Sequence, residues 1–337
     1  MPIHSLHELP PPPQSRTGWP WTAESPPLPE QMPDGRGWPR ISIVTPSYNQ
    51  GAFLEETLRS VLLQGYPDLE YFVIDGGSFD NSVEIIRKYE PWLAGWVSQK
   101  DQGQSDAINK GFQRCSGEII TFQNSDDFYL SGAFENAARL WSENAGCGAV
   151  VGGFQCCDGR SNLIGEAVRA FLQPPMSRDL TLGPPGIYRL HQVSTFFSRR
   201  ALDAVGRFVE LDFRYVMDRE LLYRVCRHSA IVLSSRCYGV FRLHDQSKTV
   251  TSVLPFAREF AQLYLNRVDG NPREDRLRKR MARYRIGAGY LKAAKATPRA
   301  LLAAWYLFRA AAADSLLLKQ RGYLRAWFAA LHLRKAA

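Results

Sequence analysis

From Ile41 onward, short apolar runs alternate with stretches whose apolar residues recur every three to four positions. The first run, Ile41–Thr45, predicts a buried strand that ends in a turn over Pro46–Gly51. Phe53, Leu54, Leu58, Val61 and Leu62 then fall at helical spacing and stop at Gly65. Tyr71–Ile74 predicts a second strand, followed by a helix capped by Asp80 or Asn81 with Val83, Ile86 and Tyr89 on its buried face. Trp96–Ser98 predicts a third strand, residues 104–114 a helix, and Glu118–Phe122 a fourth strand ending at Asn124-Ser125-Asp126-Asp127. This alternation predicts an α/β fold built on a largely parallel sheet.

Outside that region the rhythm changes. Residues 1–39 carry the run Pro10-Pro11-Pro12-Pro13 and prolines at 20, 26, 27, 29, 33 and 39. That density removes too many N–H donors for helix or ladder and predicts an extended arm. Its Trp19, Trp21 and Trp38 leave two readings open, an arm laid on the main domain or a free tail. Between 149 and 240, short strands, one of them Val193–Phe197, mix with proline-rich loops and two helices near Arg199–Val205 and Asp218–His228. Residues 275–337 read as amphipathic helices. The resulting division is an arm (1–39), an α/β domain (40–253) and a helical C-terminal region (254–337).

At 337 residues and 45% hydrophobic content, the chain has enough apolar mass for one large core and a helical appendage. Its net charge of +9 is segregated: residues 254–337 hold 18 Lys/Arg against 5 Asp/Glu, while the rest holds 24 against 28. A nucleic-acid groove across the main domain is therefore not expected. In the last helix Tyr323, Leu324, Trp327, Phe328 and Leu331 form an apolar stripe beside Arg321, Arg325, Arg334 and Lys335. Such a stripe suits an anionic membrane surface, and equally suits packing on protein. No run of 18 apolar residues is free of charge, because Arg309 and Asp314 interrupt the best candidate. Six cysteines without paired C-x-x-C spacing, and no apolar leader in the first thirty residues, predict a cytoplasmic setting with the thiols reduced. Vicinal Cys156 and Cys157 lack partners at metal-ligand spacing.

Ligands of open α/β sheets sit at the carboxyl ends of strands. Four polar clusters follow the four strands in order. They are Thr45-Pro46-Ser47-Tyr48-Asn49, Asp75-Gly76-Gly77-Ser78-Phe79-Asp80, Asp101-Gln102-Gly103-Gln104-Ser105-Asp106, and Asn124-Ser125-Asp126-Asp127. Each alone reads as turn chemistry; four in register point to a ligand site.

These clusters, with Asp106-Ala107-Ile108-Asn109-Lys110-Gly111, His191-Gln192, Phe208, Tyr215-Val216-Met217-Asp218 and Phe241-Arg242-Leu243-His244, resemble glycosyltransferase family 2 over residues 41–248. The resemblance implies a GT-A fold and transfer of a sugar from a nucleotide-diphosphate donor, UDP-linked by preference, with inversion. The acceptor implied is a saccharide or lipid-linked saccharide, and the setting is the inner face of the cell membrane. On that pattern the donor meets Thr45, Pro46, Ser47, Asn49, Asp75, Ser78, Asp101, Gly103, Asp106, Asn109, Lys110, Asn124 and Asp126. The tetrad usually opens with Asp; here that place is Asn124, which brings no charge. A kept fold without turnover, serving as a nucleotide-binding scaffold, is the competing reading.

A divalent cation, Mn²⁺ or Mg²⁺, neutralises a leaving diphosphate and prefers oxygen ligands. Asp126 is the expected ligand, with weaker help from Asp127. Inverting transfer needs a carboxylate to take the acceptor proton. In the family pattern that base falls at Asp218, with Glu220 its rival on the acceptor side. His191 and Gln192 are expected to border the acceptor. His244 is expected at the metal or diphosphate, or as a hydrogen-bonded structural histidine; Arg242 and Lys248 are further candidates for phosphate oxygens.

Overall fold

The computed structural model describes residues 4–172, 188–267, 270–297, 299–315 and 326. The described chain forms two compact units, one running through Leu243 and the other beginning at His244.

In the first unit the order is β1 (Ile41–Ser47), α1 (Gly51–Leu62), β2 (Leu69–Asp75), α2 (Ser82–Tyr89), β3 (Gly95–Ser98), α3 (Gln104–Phe112), β4 (Ile119–Phe122), β5 (Phe128–Tyr129) and α4 (Ala133–Glu143). There follow β6 (Ala149–Cys157), β7 (Leu163–Val168), β8 (Phe171–Leu172), β9 (Tyr188–Arg189), β10 (Thr195–Ser198), α5 (Arg199–Ala204), α6 (Met217–His228) and β11 (Ile231–Arg242). The main sheet runs β3-β2-β1-β4-β10-β6-β11-β5, with β7 beside β6. Its first four strands are parallel, as the alternation of periods requires, with Ile41 of β1 level with both Leu69 and Ile119. β10 then enters antiparallel to β4 and β6 and makes the sheet mixed. Ile41, Ile43, Tyr71, Val73 and Ile119 face Leu54, Leu58, Val61 and Leu62 of α1 in one continuous core.

Two local readings change. The buried face of α2 is Ser82, Ile85, Ile86 and Tyr89, and Val83 lies one step round the helix because the first turn opens at Ser82. The helix start is organised by Asp80, whose carboxylate accepts from Ser82 N (3.0 Å) and Gly51 N (2.9 Å), while Asn81 makes no side-chain cap bond. The expected strand Val193–Phe197 begins later, at Thr195, because Gln192–Ser194 form a 3₁₀ turn.

The proline-rich arm lies on the main domain. Trp21 and Trp38 are buried, and Leu9, Met32 and Trp38 join the core cluster. Proline removes donors but leaves carbonyls to be satisfied. Arg59, fully buried on α1, meets that need with bonds to the carbonyls of Pro10 (2.8 Å), Pro20 (2.9 Å) and Trp21 (2.9 Å). Trp19 Nε1 donates to Tyr129 O at 2.7 Å.

The second unit is helical: α7 (Lys248–Thr251), α8 (Val253–Leu265), α9 (Pro272–Ala296) and α10 (Ala300–Ala313). Asn271 caps α9 by accepting from Arg273 N and Glu274 N. Tyr290, Leu291, Ala294, Ala303, Leu307 and Ala310 form its core. Leu301, Trp305 and Phe308 of α10 are exposed. Among the described residues no helix is long and apolar enough to cross a membrane. The stripe Tyr323, Leu324, Trp327, Phe328 and Leu331 lies outside the described residues.

Candidate active site

The four polar clusters do meet at the carboxyl edge of the parallel strands, and α1 braces the last of them. Thr57 Oγ1 donates to Ser125 O (3.0 Å) and Asp127 O (2.7 Å), fixing the loop after β4 from below. Beside it, Glu56 accepts from Arg242 Nη2 and from Ser161 Oγ, both at 2.8 Å. Arg242 also donates from Nε to Asp126 O (2.7 Å) and from its backbone N to Asp127 Oδ1 (2.8 Å). With 1% exposure it is a structural strut under the tetrad, which corrects its expected place at phosphate oxygens.

Asn124 is the hub of the loop. Its Oδ1 accepts from Gln104 Nε2 (2.7 Å), and its Nδ2 donates to Asp127 Oδ2 (3.1 Å) and toward Gln192 Oε1 (3.4 Å). An aspartate could not donate these last two bonds, so the amide belongs to this network. Gln192 in turn donates to Phe122 O. Asp126 is half-buried. Asp127 is wholly buried, and burial, reinforced by the negative charge of Asp126, pushes its pKa well above the usual carboxylate range. With one oxygen on Arg242 N and the other on Asn124, Asp127 does not present the second metal-facing carboxylate that was expected.

No group of three or more His, Cys, Asp or Glu side chains gathers among the described residues to form a protein-built metal cage. The donor set fits a hard cation that is held by one carboxylate, Asp126, and completes its shell from a diphosphate and water, as Mg²⁺ commonly does. His244 falls in the second unit, where its carbonyl accepts from Ser247 N and Oγ, each at 2.9 Å.

On the β1–β2 side, two loops are stapled together. Asn49, at φ 51°, donates from its N to Ser78 Oγ (2.8 Å) and accepts from Phe79 N (2.9 Å). Asp75 is buried and accepts from Gly77 N, Ser78 N, Ser78 Oγ and Ser98 Oγ. Three of these bonds fall on Oδ2 and one on Oδ1, so Asp75 shapes the loop and keeps acceptor capacity for the expected base imide on Oδ1 alone. Thr45 is buried on Tyr71 OH (2.9 Å), and Ser47 and Pro46 are buried with it, beneath the surface they were expected to line. What does face solvent is aromatic. Tyr48 and Phe79 are 56% and 84% exposed, one on each loop, with ring centroids 6.3 Å apart. The sequence marks this pair only by an aromatic within each polar cluster, Tyr48 directly after β1 and Phe79 four residues after β2.

After β3, Asp101 accepts from Gly103 N (2.8 Å). Its carboxylate passes so close to Gly76 that a Cβ there would lie 2.8 Å from it. Gly103 has φ 108°, a conformation side-chain-bearing residues rarely adopt. Asp106 accepts from Gln102 N (3.0 Å) and pairs with Lys110 (2.9 Å); the Gln102 bond first, and then Lys110, hold its pKa down. Asn109 is corrected to a clamp, since its amide pairs both ways with the backbone of Val209 (2.8 and 2.9 Å).

Helix α6 begins at Met217. Asp218 is 22% exposed, its Oδ2 lies 3.9 Å from Arg219 Nε, and burial raises its pKa against the opposing pull of Arg219. Glu220 turns the other way, 6% exposed and bonded to Arg224 Nε at 2.7 Å. That ion pair ties up the carboxylate expected as the rival base on the acceptor side. His191 lies between the rings of Phe154 (4.5 Å) and Phe241 (4.8 Å) and accepts from Val193 N on Nδ1 (3.3 Å). Burial, with the charge of Arg219, lowers its pKa to about 3, so it is neutral.

Residues 42–206 match the profile of glycosyl transferase family 2. An uncharacterized glycosyltransferase of Mycobacterium tuberculosis is 34% identical over 190 residues, covering 55% of this chain and 68% of its own. This chain belongs to glycosyl transferase family 2. Another relative of this glycosyltransferase, the GalNAc(5)-diNAcBac-PP-undecaprenol beta-1,3-glucosyltransferase of Campylobacter jejuni, is 31% identical over 109 residues, 31% of this chain and 35% of its own. Two solved structures share the fold. The Pyrobaculum calidifontis mannosyltransferase PcManGT in complex with GDP-Man and Mn²⁺ aligns with TM-score 0.55 at 19% identity, over 88% of this chain and 85% of its own. S. aureus TarS 1-349 in complex with UDP-GlcNAc aligns at 0.53 and 16%, over 87% and 79%. The fold of this glycosyltransferase is thus of the GT-A type.

Proposed function

We propose that this family 2 glycosyltransferase moves a sugar from a nucleotide-diphosphate donor, a UDP-sugar by preference, to a hydroxyl of a saccharide or lipid-linked saccharide, with inversion. The observation that carries the reading is Asp218, a partly open carboxylate whose pKa burial has raised and which stands outside hydrogen-bond reach of its cationic neighbour. A raised pKa suits a base that must take a proton as the new bond forms. The acceptor hydroxyl loses its proton to Asp218 while its oxygen attacks the anomeric carbon from the face opposite the diphosphate, and the bond from that carbon to the diphosphate oxygen breaks to release the nucleoside diphosphate.

On the donor side, Asn49, Asp75 and Ser78 hold the two loops rigid, and Tyr48 and Phe79 offer ring surface to a nucleobase. Asp101, Gly103, Asp106 and Lys110 form the loop nearest the sugar and ribose hydroxyls. Asp126 would hold a divalent cation, which when bound neutralises charge developing on the diphosphate; the GDP-Man and Mn²⁺ bound to PcManGT support this reading. His191 and Gln192 border the acceptor. The undecaprenol-linked substrate in the name of the Campylobacter relative supports a lipid-linked acceptor at the inner membrane face. The basic second unit, with Trp305 and Phe308 exposed, supports peripheral attachment there.

Thermal melts with UDP-, GDP-, dTDP- and CMP-sugars in Mn²⁺ test the donor assignment, because a bound donor raises the melting point by mass action. NMR of the transferred anomer then tests inversion. A protein that melts identically with all four contradicts the proposal.

A further inference from the structure

Buried and half-buried arginines in the first unit spend their donors. Arg59 reaches three arm carbonyls. Arg224 reaches Glu220 and the carbonyls of Val205 and Phe208, and Arg242 ties Glu56 to the tetrad loop. Arg219 does not follow the pattern. Its Nη1 is buried with no hydrogen-bond partner among the described residues. Its one ion pair among the described residues, to Asp218, is 3.9 Å long, and its side chain is only 19% exposed.

A buried guanidinium N–H that lacks an acceptor is costly. An oxyanion of the substrate would supply the missing acceptor. Two surroundings define that acceptor. Asp218 is adjacent, so whatever meets Arg219 is held beside the proposed base. His191, neutral between Phe154 and Phe241, brings no competing charge and marks an apolar wall in which a charge-assisted bond is strengthened.

We propose that Arg219 is a substrate-recognition residue whose guanidinium binds a phosphate or carboxylate oxyanion next to Asp218. The proposal rests on Asp218 as the base only for the name of the neighbouring site; the oxyanion contact stands on the buried, unbonded Nη1 of Arg219. Two sources share this chemistry, the diphosphate of the donor and an acidic group on the acceptor. An acceptor carrying a uronate or a sugar phosphate would be selected by the second.

Calorimetry on the full-length protein separates them, with Arg219→Met and Arg219→Lys. The probes are UDP with Mn²⁺ for the donor arm, and methyl glucuronide and glucose 1-phosphate against methyl glucoside for the acceptor arm. We expect Arg219→Met to weaken one oxyanion probe by about tenfold or more and to leave the neutral glucoside unchanged. Loss in the UDP arm assigns the diphosphate; loss in the other assigns the acceptor. Arg219→Lys keeps the charge without the planar fork and should fall between; it carries the test if the Met variant does not fold. Equal binding of every probe by wild type and the folded variants overturns the proposal. Asp218→Asn serves as the separate control: turnover retained in that variant refutes the base assignment and leaves the oxyanion result to be judged alone.

Discussion

Glu56 on α1 and Arg242 at the end of β11 form a 2.8 Å ion pair with 4% and 1% side-chain exposure, directly beneath the loop that carries Asp126. Truncating one partner leaves the other charge buried. Glu56→Gln or Arg242→Met should therefore cost about 3–5 kcal/mol of stability, read as a lower urea midpoint. A double variant that restores nothing would be expected from simple additivity; partial recovery is the signature of a coupled pair.

The amide of Asn124 donates toward two acceptors. Asn124→Asp, which brings back the residue usual in the family, places a carboxylate 3.1 Å from the buried Asp127 oxygen and removes both donors. We expect a loss of about 1–3 kcal/mol by denaturant titration. A variant as stable as wild type would show that the network around Asn124 rearranges freely.

The alternation of strand and helix was readable because period alone separates the elements from β1 to β4, and the register of the parallel strands follows from their buried runs. The sheet edge could be read in the same way, since each polar cluster begins where an apolar run stops. The division of labour within the clusters could not. Asp75, Asn109 and Asp127 look like ligands in sequence, and only three-dimensional neighbours reveal that their polar atoms are engaged by Ser98, Val209 and Arg242. Glu220 and Asp218, two positions apart, differ for the same reason: Arg224 lies one helical turn beyond Glu220. The arm was ambiguous because its fixation depends on Arg59, a residue no arm pattern contains.

Tyr48 and Phe79 present the exposed rings of the donor side. Replacing either by Ala should weaken nucleotide binding by about 1–3 kcal/mol while leaving the melting point of the free protein nearly unchanged, since neither ring is in the core. Titration of UDP and GDP by calorimetry checks this. Unchanged affinity would place the base elsewhere on the edge.

Asp126→Ala should abolish the Mn²⁺ dependence of donor affinity, because the cation loses its one protein carboxylate on this loop. Calorimetry with and without Mn²⁺ reads it directly. A retained metal effect would move the site away from Asp126.

The central claim is that Asp218 removes the acceptor proton, and single-turnover transfer by Asp218→Asn under saturating donor tests it most directly. The account expects donor affinity to stay near wild type and transfer to fall by a factor on the order of 10² or more. In the wild type, the acid limb of the rate profile should lie above the ordinary aspartate value of 3.8, since burial raises this pKa. Transfer by Asp218→Asn at the wild-type rate, with the donor still bound, would contradict the account and leave the acceptor activated by another group.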